Sequence, residues 1–176
     1  MRKVILFIAI SLDGFIADQN GKVDWLNGQS DHEETLDSCS AFMETVDTVI
    51  MGWNTYHQII TELSPDQWIY QNMTSYVITH RELPSTDTIR FTQSDPCNVV
   101  RTQKRKTGKG IWICGGGTII QPLIRNGLID EYYISVIPTI LGAGIRLFEE
   151  NNTEIKLKLS RTQSYNGITE LVYTPR

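Results

Sequence analysis

The chain has 176 residues, 40% of them hydrophobic and 20% charged. This suits a single folded domain over residues 1–176 and excludes disorder. Its formal net charge of −4 excludes a general nucleic-acid or membrane-surface binder, since either needs a basic face. Three cysteines, Cys39, Cys97 and Cys114, with no Cys-x-x-Cys pattern leave no disulfide framework or zinc motif, and a reducing cytoplasm is expected.

Met1-Arg2-Lys3 followed by an apolar run could open a signal peptide. The run is short, however, and leads into Ser11-Leu12-Asp13-Gly14 rather than a small-residue cleavage site. Val4–Ile10 therefore reads as a strand buried on both faces. Ser11–Gly28 reads as a long loop with Asp13-Gly14 and Asn20-Gly21 turn signals. Asp31–Glu44 reads as a helix with Asp31 as N-cap, Glu34 three positions on, and Leu36, Cys39, Phe42 and Met43 at helical spacing. Thr48–Met51 is a short buried strand, and Asn54–Ile60 begins a helix after Gly52. Ser75–Thr79 and Thr88–Thr92 are further strands, and Asn98–Lys106 is a helix.

Gly110–Cys114 is a strand that runs into Gly115-Gly116-Gly117, and Thr118–Asn126 is the helix after it, with Gly127 as a C-cap signal. Tyr132–Ile137 is another strand. In the tail Ile155, Leu157 and Leu159 alternate with lysines, and Tyr165-Asn166-Gly167-Ile168 marks a hairpin turn. Strands alternating with helices predict an α/β layered domain with a mixed, mostly parallel central sheet, flanking helices and a C-terminal antiparallel hairpin. Arg101, Lys104, Arg105, Lys106 and Lys109 read as a solvated helix face and loop. His32 and His57 have no metal-ligand partners at suitable spacing. No segment approaches the ~20 apolar residues of a membrane span.

Ligands of open α/β sheets bind at the carboxyl ends of the strands, and these ends are polar here. They carry Ser11, Asp13 and Gly14; Gly52, Trp53, Asn54 and Thr55; Thr79, His80 and Arg81; Gly115–Gly117 with Thr118; and Pro138, Thr139, Gly142 and Gly144. Singly, each fits a turn or a cap. Together, two glycine-preceded helix N-termini and an arginine suit a ligand with a pyrophosphate and a separate phosphate. NADPH has that shape.

The segments "IAISLDGFIAD", "VDWL", "DTVIMGWNTYHQI", "SYVITHR", "IWICGGGTIIQPLI" and "IDEYYISVIPTILGAGIRLF" resemble, in order, the dihydrofolate reductase-like superfamily. Within it they resemble the reductase domain of bacterial riboflavin biosynthesis. The resemblance implies a three-layer dihydrofolate reductase-like fold and an NADPH-dependent reductase of a small pyrimidine- or pterin-like heterocycle. It places Ala9 and Ile16 beside the nicotinamide, Gly52, Trp53, Asn54 and Thr55 at a phosphate-binding helix, and Thr79, His80 and Arg81 near the 2′-phosphate. Gly115, Gly116, Gly117, Thr118 and Ile119 would contact the pyrophosphate and the nicotinamide ribose. It also implies a homodimer through the end of the sheet that carries the apolar segment Ile134–Leu141, beside the C-terminal hairpin, whose alternative is an ordinary buried strand.

Two departures stand out. Trp53 occupies a position that is often basic in the family, so the preference for NADPH rests on His80 and Arg81, and NADH is not excluded. The proton is expected from water, from Asp13, whose alternative is an Asx turn, or from Asp31, whose alternative is an N-cap. Ser11, Asp13 and Trp25 are candidate substrate contacts. Dihydrofolate reduction, a flavin-containing pocket and a nucleotide-binding module without turnover are the other readings.

Overall fold

The computed structural model describes residues 1–30, 38–150 and 153–176. In chain order these form β1 (Val4–Ser11), β2 (Phe15–Ala17), α1 (Ser38–Met43), β3 (Val46–Gly52) and α2 (Trp53–Gln58), which runs into a π-helical turn at Ile59–Leu63. There follow β4 (Thr74–Ile78), β5 (Ile89–Thr92), α3 (Pro96–Lys104), β6 (Gly110–Gly115), α4 (Gly117–Arg125), β7 (Glu131–Ile137), β8 (Ile145–Arg146), β9 (Leu157–Tyr165) and β10 (Ile168–Pro175).

Among the described residues, an eight-stranded sheet has the order β5-β4-β3-β6-β1-β7-β10-β9. Neighbours from β5 to β7 are parallel, whereas β10 is antiparallel to both β7 and β9. The apolar run of β1 is continuous because both faces of the sheet are covered. Val4 and Leu6 pack with Ile113 under Val100 of α3 and Ile120 and Leu123 of α4. Ile5 packs on the other face with Val49, Met51 and Trp112, under Phe42 of α1 and Ile59. Each such side chain, fully buried, is worth about 1.5–3 kcal/mol.

The amino ends of the strands are tied by Arg2. Its buried guanidinium pairs with Asp47 and donates to Thr48 Oγ1 at 2.8 Å and to the Lys109 carbonyl at 2.6 Å. The predicted basic face is solvent-facing and locally engaged: Lys104 pairs with Asp130 at 2.6 Å, and Lys109 Nζ donates to the Glu44 carbonyl at 2.9 Å.

The predicted order of strands and helices is present with shifted ends. The predicted helix over Asp31–Glu44 is described only at Ser38–Met43; Asp31, His32 and Glu34 lie outside the described residues. The predicted loop over Ser11–Gly28 contains β2, which pairs with β8, Phe15 opposite Arg146 and Ala17 opposite Ile145. A three-residue strand whose partner lies far along the chain leaves no local periodicity to read. The last strand pair begins at Leu157 rather than Ile155.

The connections decide where a ligand can sit. From β3 the chain runs through α2 to β4, towards one edge; from β6 it runs through α4 to β7, towards the other. Trp53 and Tyr56 of α2 pack on one face and Ile119 and Ile120 of α4 on the opposite face. Adjacent β3 and β6 thus form the topological switch point, where open α/β sheets leave a crevice at their carboxyl ends.

Candidate active site

At that crevice two glycine turns lie against each other. Gly115 and Gly116 have φ of +153° and +87°, conformations that L side chains rarely adopt. A Cβ on Gly115 would lie 3.5 Å from Thr55 Oγ1, and one on Gly116 would lie 3.7 Å from both the Gly52 nitrogen and Thr55 Oγ1. A Cβ on Gly52 would press on Ile119 Cγ1 at 3.2 Å. The structure therefore brings together Gly52, Thr55, Gly115, Gly116 and Ile119, which are separate in sequence. Thr118, the second residue of α4, lies beside them and is exposed. Gly117 faces β8, where its Cβ would meet Ile145 Cγ2 at 3.6 Å.

Neither helix that starts here has a side-chain cap: Gly52 is the N-cap of α2 and Gly116 that of α4. At α3, away from the crevice, Asp95 caps the N-terminus and accepts from the Asn98 N–H at 3.2 Å. The first N–H groups of a helix have no intrahelical partner. The two that converge on the crevice are thus left with bare backbone donors and the positive ends of their dipoles. That donor set fits the oxygens of a diphosphate.

Beyond α2 the site widens along the ends of β4 and β5. Trp53 packs tilted against Tyr56 and His57, with ring centroids 5.7 and 5.5 Å away, and carries the Arg81 guanidinium 4.6 Å over its ring. The buried Thr79 hydroxyl accepts from the Arg81 N–H at 3.1 Å. Arg81 then borders an open cavity of about 440 Å³, lined also by Leu83, Pro84 and Phe91. Asn54 and His80 are exposed nearby in sequence. Trp53 therefore does not replace a cation so much as hold one, since an arginine over an indole ring keeps its charge and its donors.

The carboxyl end of β1 is built differently. Ser11 is fully buried; its hydroxyl donates to Asp13 Oδ1 at 2.6 Å and accepts from the Phe15 N–H at 2.9 Å. Asp13 also accepts from the N–H groups of Leu141 and Gly142 at 3.1 and 2.7 Å. The Ser11 hydroxyl and these two amides hold its carboxyl down at about 2. At neutral pH Asp13 is a carboxylate that ties the β1–β2 loop to the β7–β8 loop. Trp25 is half-buried in its own loop, with Nε1 donating to the Lys22 carbonyl at 3.2 Å. It is not brought to the glycine turns by any contact among the described residues.

Ala9 lies half-buried on the face that carries α1, and Ile16 packs towards the α3–α4 face. In register, Ala9 pairs with Ser135 and Ser135 with Glu170. Sequence reasoning passed over Glu170. A signal was available: in Ile168-Thr169-Glu170-Leu171-Val172 it stands at an inward position of an alternating strand, where a charge needs an explanation. Cys114, next to Gly115, meets the Tyr70 hydroxyl at 3.7 Å, and burial pushes its thiol up to about 12; it is no nucleophile. Among the described residues no group of His, Cys, Asp and Glu could hold a metal ion, and no helix is long and apolar enough to cross a membrane.

A family model, the RibD C-terminal domain, matches residues 2–171. The chain belongs to this family. It is 37% identical over 178 residues to the uncharacterized protein YwjB of Bacillus subtilis, covering 98% of this chain and 97% of that one. A solved candidate riboflavin biosynthesis protein from Shewanella sp. PV-4 matches with a TM-score of 0.83 and 30% identity over 99% of both chains. A diaminohydroxyphosphoribosylaminopyrimidine deaminase/5-amino-6-(5-phosphoribosylamino)uracil reductase from Thermotoga maritima matches with a TM-score of 0.70 and 16% identity, and this RibD C-terminal domain chain spans 57% of its length. The dihydrofolate reductase-like fold expected from the sequence is the fold these relatives share: a mostly parallel sheet, flanking helices and a C-terminal antiparallel strand pair.

Proposed function

We propose that this chain is an NADPH-dependent reductase of a small pyrimidine- or pterin-like heterocycle, of the 5-amino-6-(5-phosphoribosylamino)uracil reductase type. The observation that carries the reading is the pair of uncapped helix N-termini meeting at the switch point, bare at Gly52 and Gly116 and flanked by Thr55. In this reading the amides of Gly115–Gly117 and Thr118, with those of Trp53–Thr55, hold the diphosphate. Arg81, fixed on Trp53 with Thr79 and His80 beside it, meets the 2′-phosphate. Ala9 and Ile16 border the nicotinamide. NADPH, when bound, supplies the hydride. The chain's own residues orient the acceptor over the Ala9 face, and the proton comes from water or Asp31.

A thermal titration tests this. At NADPH a hundredfold above its Kd, binding to the folded chain alone adds about 2.7 kcal/mol of stability, so the melting temperature rises measurably. Absence of any shift sinks the reading. NADPH oxidation is then followed with 5-amino-6-(5-phosphoribosylamino)uracil and with dihydrofolate, and turnover of the former is expected to exceed that of the latter. The ionised, fully engaged Asp13 favours one second reading, a nucleotide-binding protein without turnover. Saturable NADPH binding with no oxidation in the presence of either acceptor would select it.

A further inference from the structure

The turn of the C-terminal hairpin and the loop before α1, unremarkable alone, are built around each other. Asn166, at φ +46° in the turn, is buried. Its Oδ1 accepts from the Ser30 N–H at 2.9 Å, its Nδ2 donates to the Ser30 carbonyl at 2.8 Å, and its own carbonyl accepts from the Gln29 N–H at 3.0 Å. Gly28 is required beside it, because a Cβ there would collide with the Asn166 amide. Four residues after Asn166, Glu170 is 1% exposed. Its Oε1 accepts from Ser38 Oγ at 2.6 Å and Tyr165 OH at 2.9 Å; its Oε2 accepts from Tyr133 OH at 3.1 Å and from Gln163 Nε2. Arg161 donates to the same Tyr133 hydroxyl at 2.5 Å.

The hairpin thus grips the chain at Ser30 and again at Ser38, the first residue of α1. The second grip acts beside the candidate site. Ala9, Ser135 and Glu170 form one cross-strand row on the face that α1 covers. Phe42, further along α1, rests on Phe7 with ring centroids 4.4 Å apart, and Phe7 precedes Ala9 by one alternation. Contacts at both ends of α1 set how it lies over the row: Phe42 on Phe7, Trp112 and Tyr133, and Ser38 on Glu170. The Ser135 hydroxyl, also buried, has no hydrogen-bond partner among the described residues and lies between Ala9 and Glu170 in this row. Apolar packing alone would let so short a helix slide. A buried carboxylate is costly unless every lone pair is met, and once met from α1, β7 and β9 it permits a single arrangement.

We propose that the C-terminal hairpin is a positioning device of the candidate active site, with Glu170 as the positioning residue that, through Ser38, fixes α1 over the Ala9–Ser135 row and so sets the space for the hydride acceptor. Its kinetic consequence rests on the reductase reading; its structural one does not.

Two variants of the full chain test it. Glu170→Gln keeps shape but turns one acceptor into a donor facing other donors, and Ser38→Ala removes the contact from the α1 side. Amide hydrogen exchange over residues 38–43 should accelerate at least about tenfold, while residues 117–125 stay within about twofold. With NADPH and 5-amino-6-(5-phosphoribosylamino)uracil, kcat/KM for the acceptor should fall at least about tenfold, while KM for NADPH stays within about twofold. Unchanged exchange in α1, equal loosening of α1 and α4, or loosened α1 with unchanged acceptor kinetics each overturns the proposal. Should Glu170→Gln fail to fold, Ser38→Ala alone is held to the same outcomes. If the unaltered chain oxidises no NADPH, the reductase reading fails, while the exchange measurement still decides whether the hairpin holds α1.

Discussion

Asp13 shows how a side chain's partners overrule its type. A carboxylate beside a presumed ligand site invites an acid–base role, and the Asp-Gly pair invites an Asx turn. The structure gives the Phe15 N–H to Ser11 rather than to an Asx turn, and the Asp13 carboxylate accepts from Ser11 in its own loop and from two amides more than a hundred residues away. Its folded value of about 2 lies below the ordinary 3.8. Asp13 therefore stabilises the fold above about pH 3.8, and this contribution is lost as pH falls through about 2. Asp13→Asn should lower the melting temperature at neutral pH, and the gap to the unaltered chain should narrow as the pH is taken down through that window. A gap constant with pH would show that the clamp is not ionic. Glu170, also held below the usual carboxylate range, is common to both proteins and cancels in the difference. Burial alone would raise it, but hydrogen bonds from Ser38, Gln163, Tyr165 and Tyr133 outweigh that.

At the scale of elements, the junction of β6 and α4 carries the site. Its three glycines are unequal. Gly116 stands at φ +87°, yet a Cβ on it would find only ordinary contacts, the nearest at 3.6 Å. The barrier to a side chain is thus backbone strain, on the order of 1–3 kcal/mol. Gly117 has a helical φ, and its Cβ would sit 3.6 Å from Ile145. Gly116→Ala is therefore expected to lower stability by about 1–3 kcal/mol and to abolish the NADPH-induced thermal shift. Gly117→Ala should keep both close to the unaltered chain. Equal effects at the two positions, measured by thermal melts with and without NADPH, would mean that the turn's conformation is not what shapes the site.

For the whole molecule, the sheet ends in an edge strand, β9, whose residues are mostly exposed, with Leu159 at 48%. A long uncovered edge offers unpaired backbone groups to another strand. We expect a homodimer through this end of the sheet. Light scattering should then return twice the chain mass of 20.1 kDa, and Leu159→Lys should shift the mass towards the monomer. A monomeric mass for the unaltered chain across a range of concentrations would refute it.

Much of the architecture is legible in the sequence. Buried parallel strands announce themselves as apolar runs such as Val4–Ile10, and strand-to-helix turns as glycines at 52 and 115–117, because these depend on a residue and its near neighbours. The polar strand ends of the candidate site were legible for the same reason. The pairing of β2 with β8, the capture of Asp13 by Gly142 and the capture of Ser38 by Glu170 were not, since the last two join residues 129 and 132 positions apart. By itself the sequence determined the family, the α/β class and the residues available at the crevice, all properties of local pattern. Only the tertiary structure decided that Gly52 and Gly116 lie side by side, that Arg81 rests on Trp53, and that one carboxylate is a clamp and another a buried anchor. Those outcomes depend on which distant groups the packed sheet brings within hydrogen-bonding range.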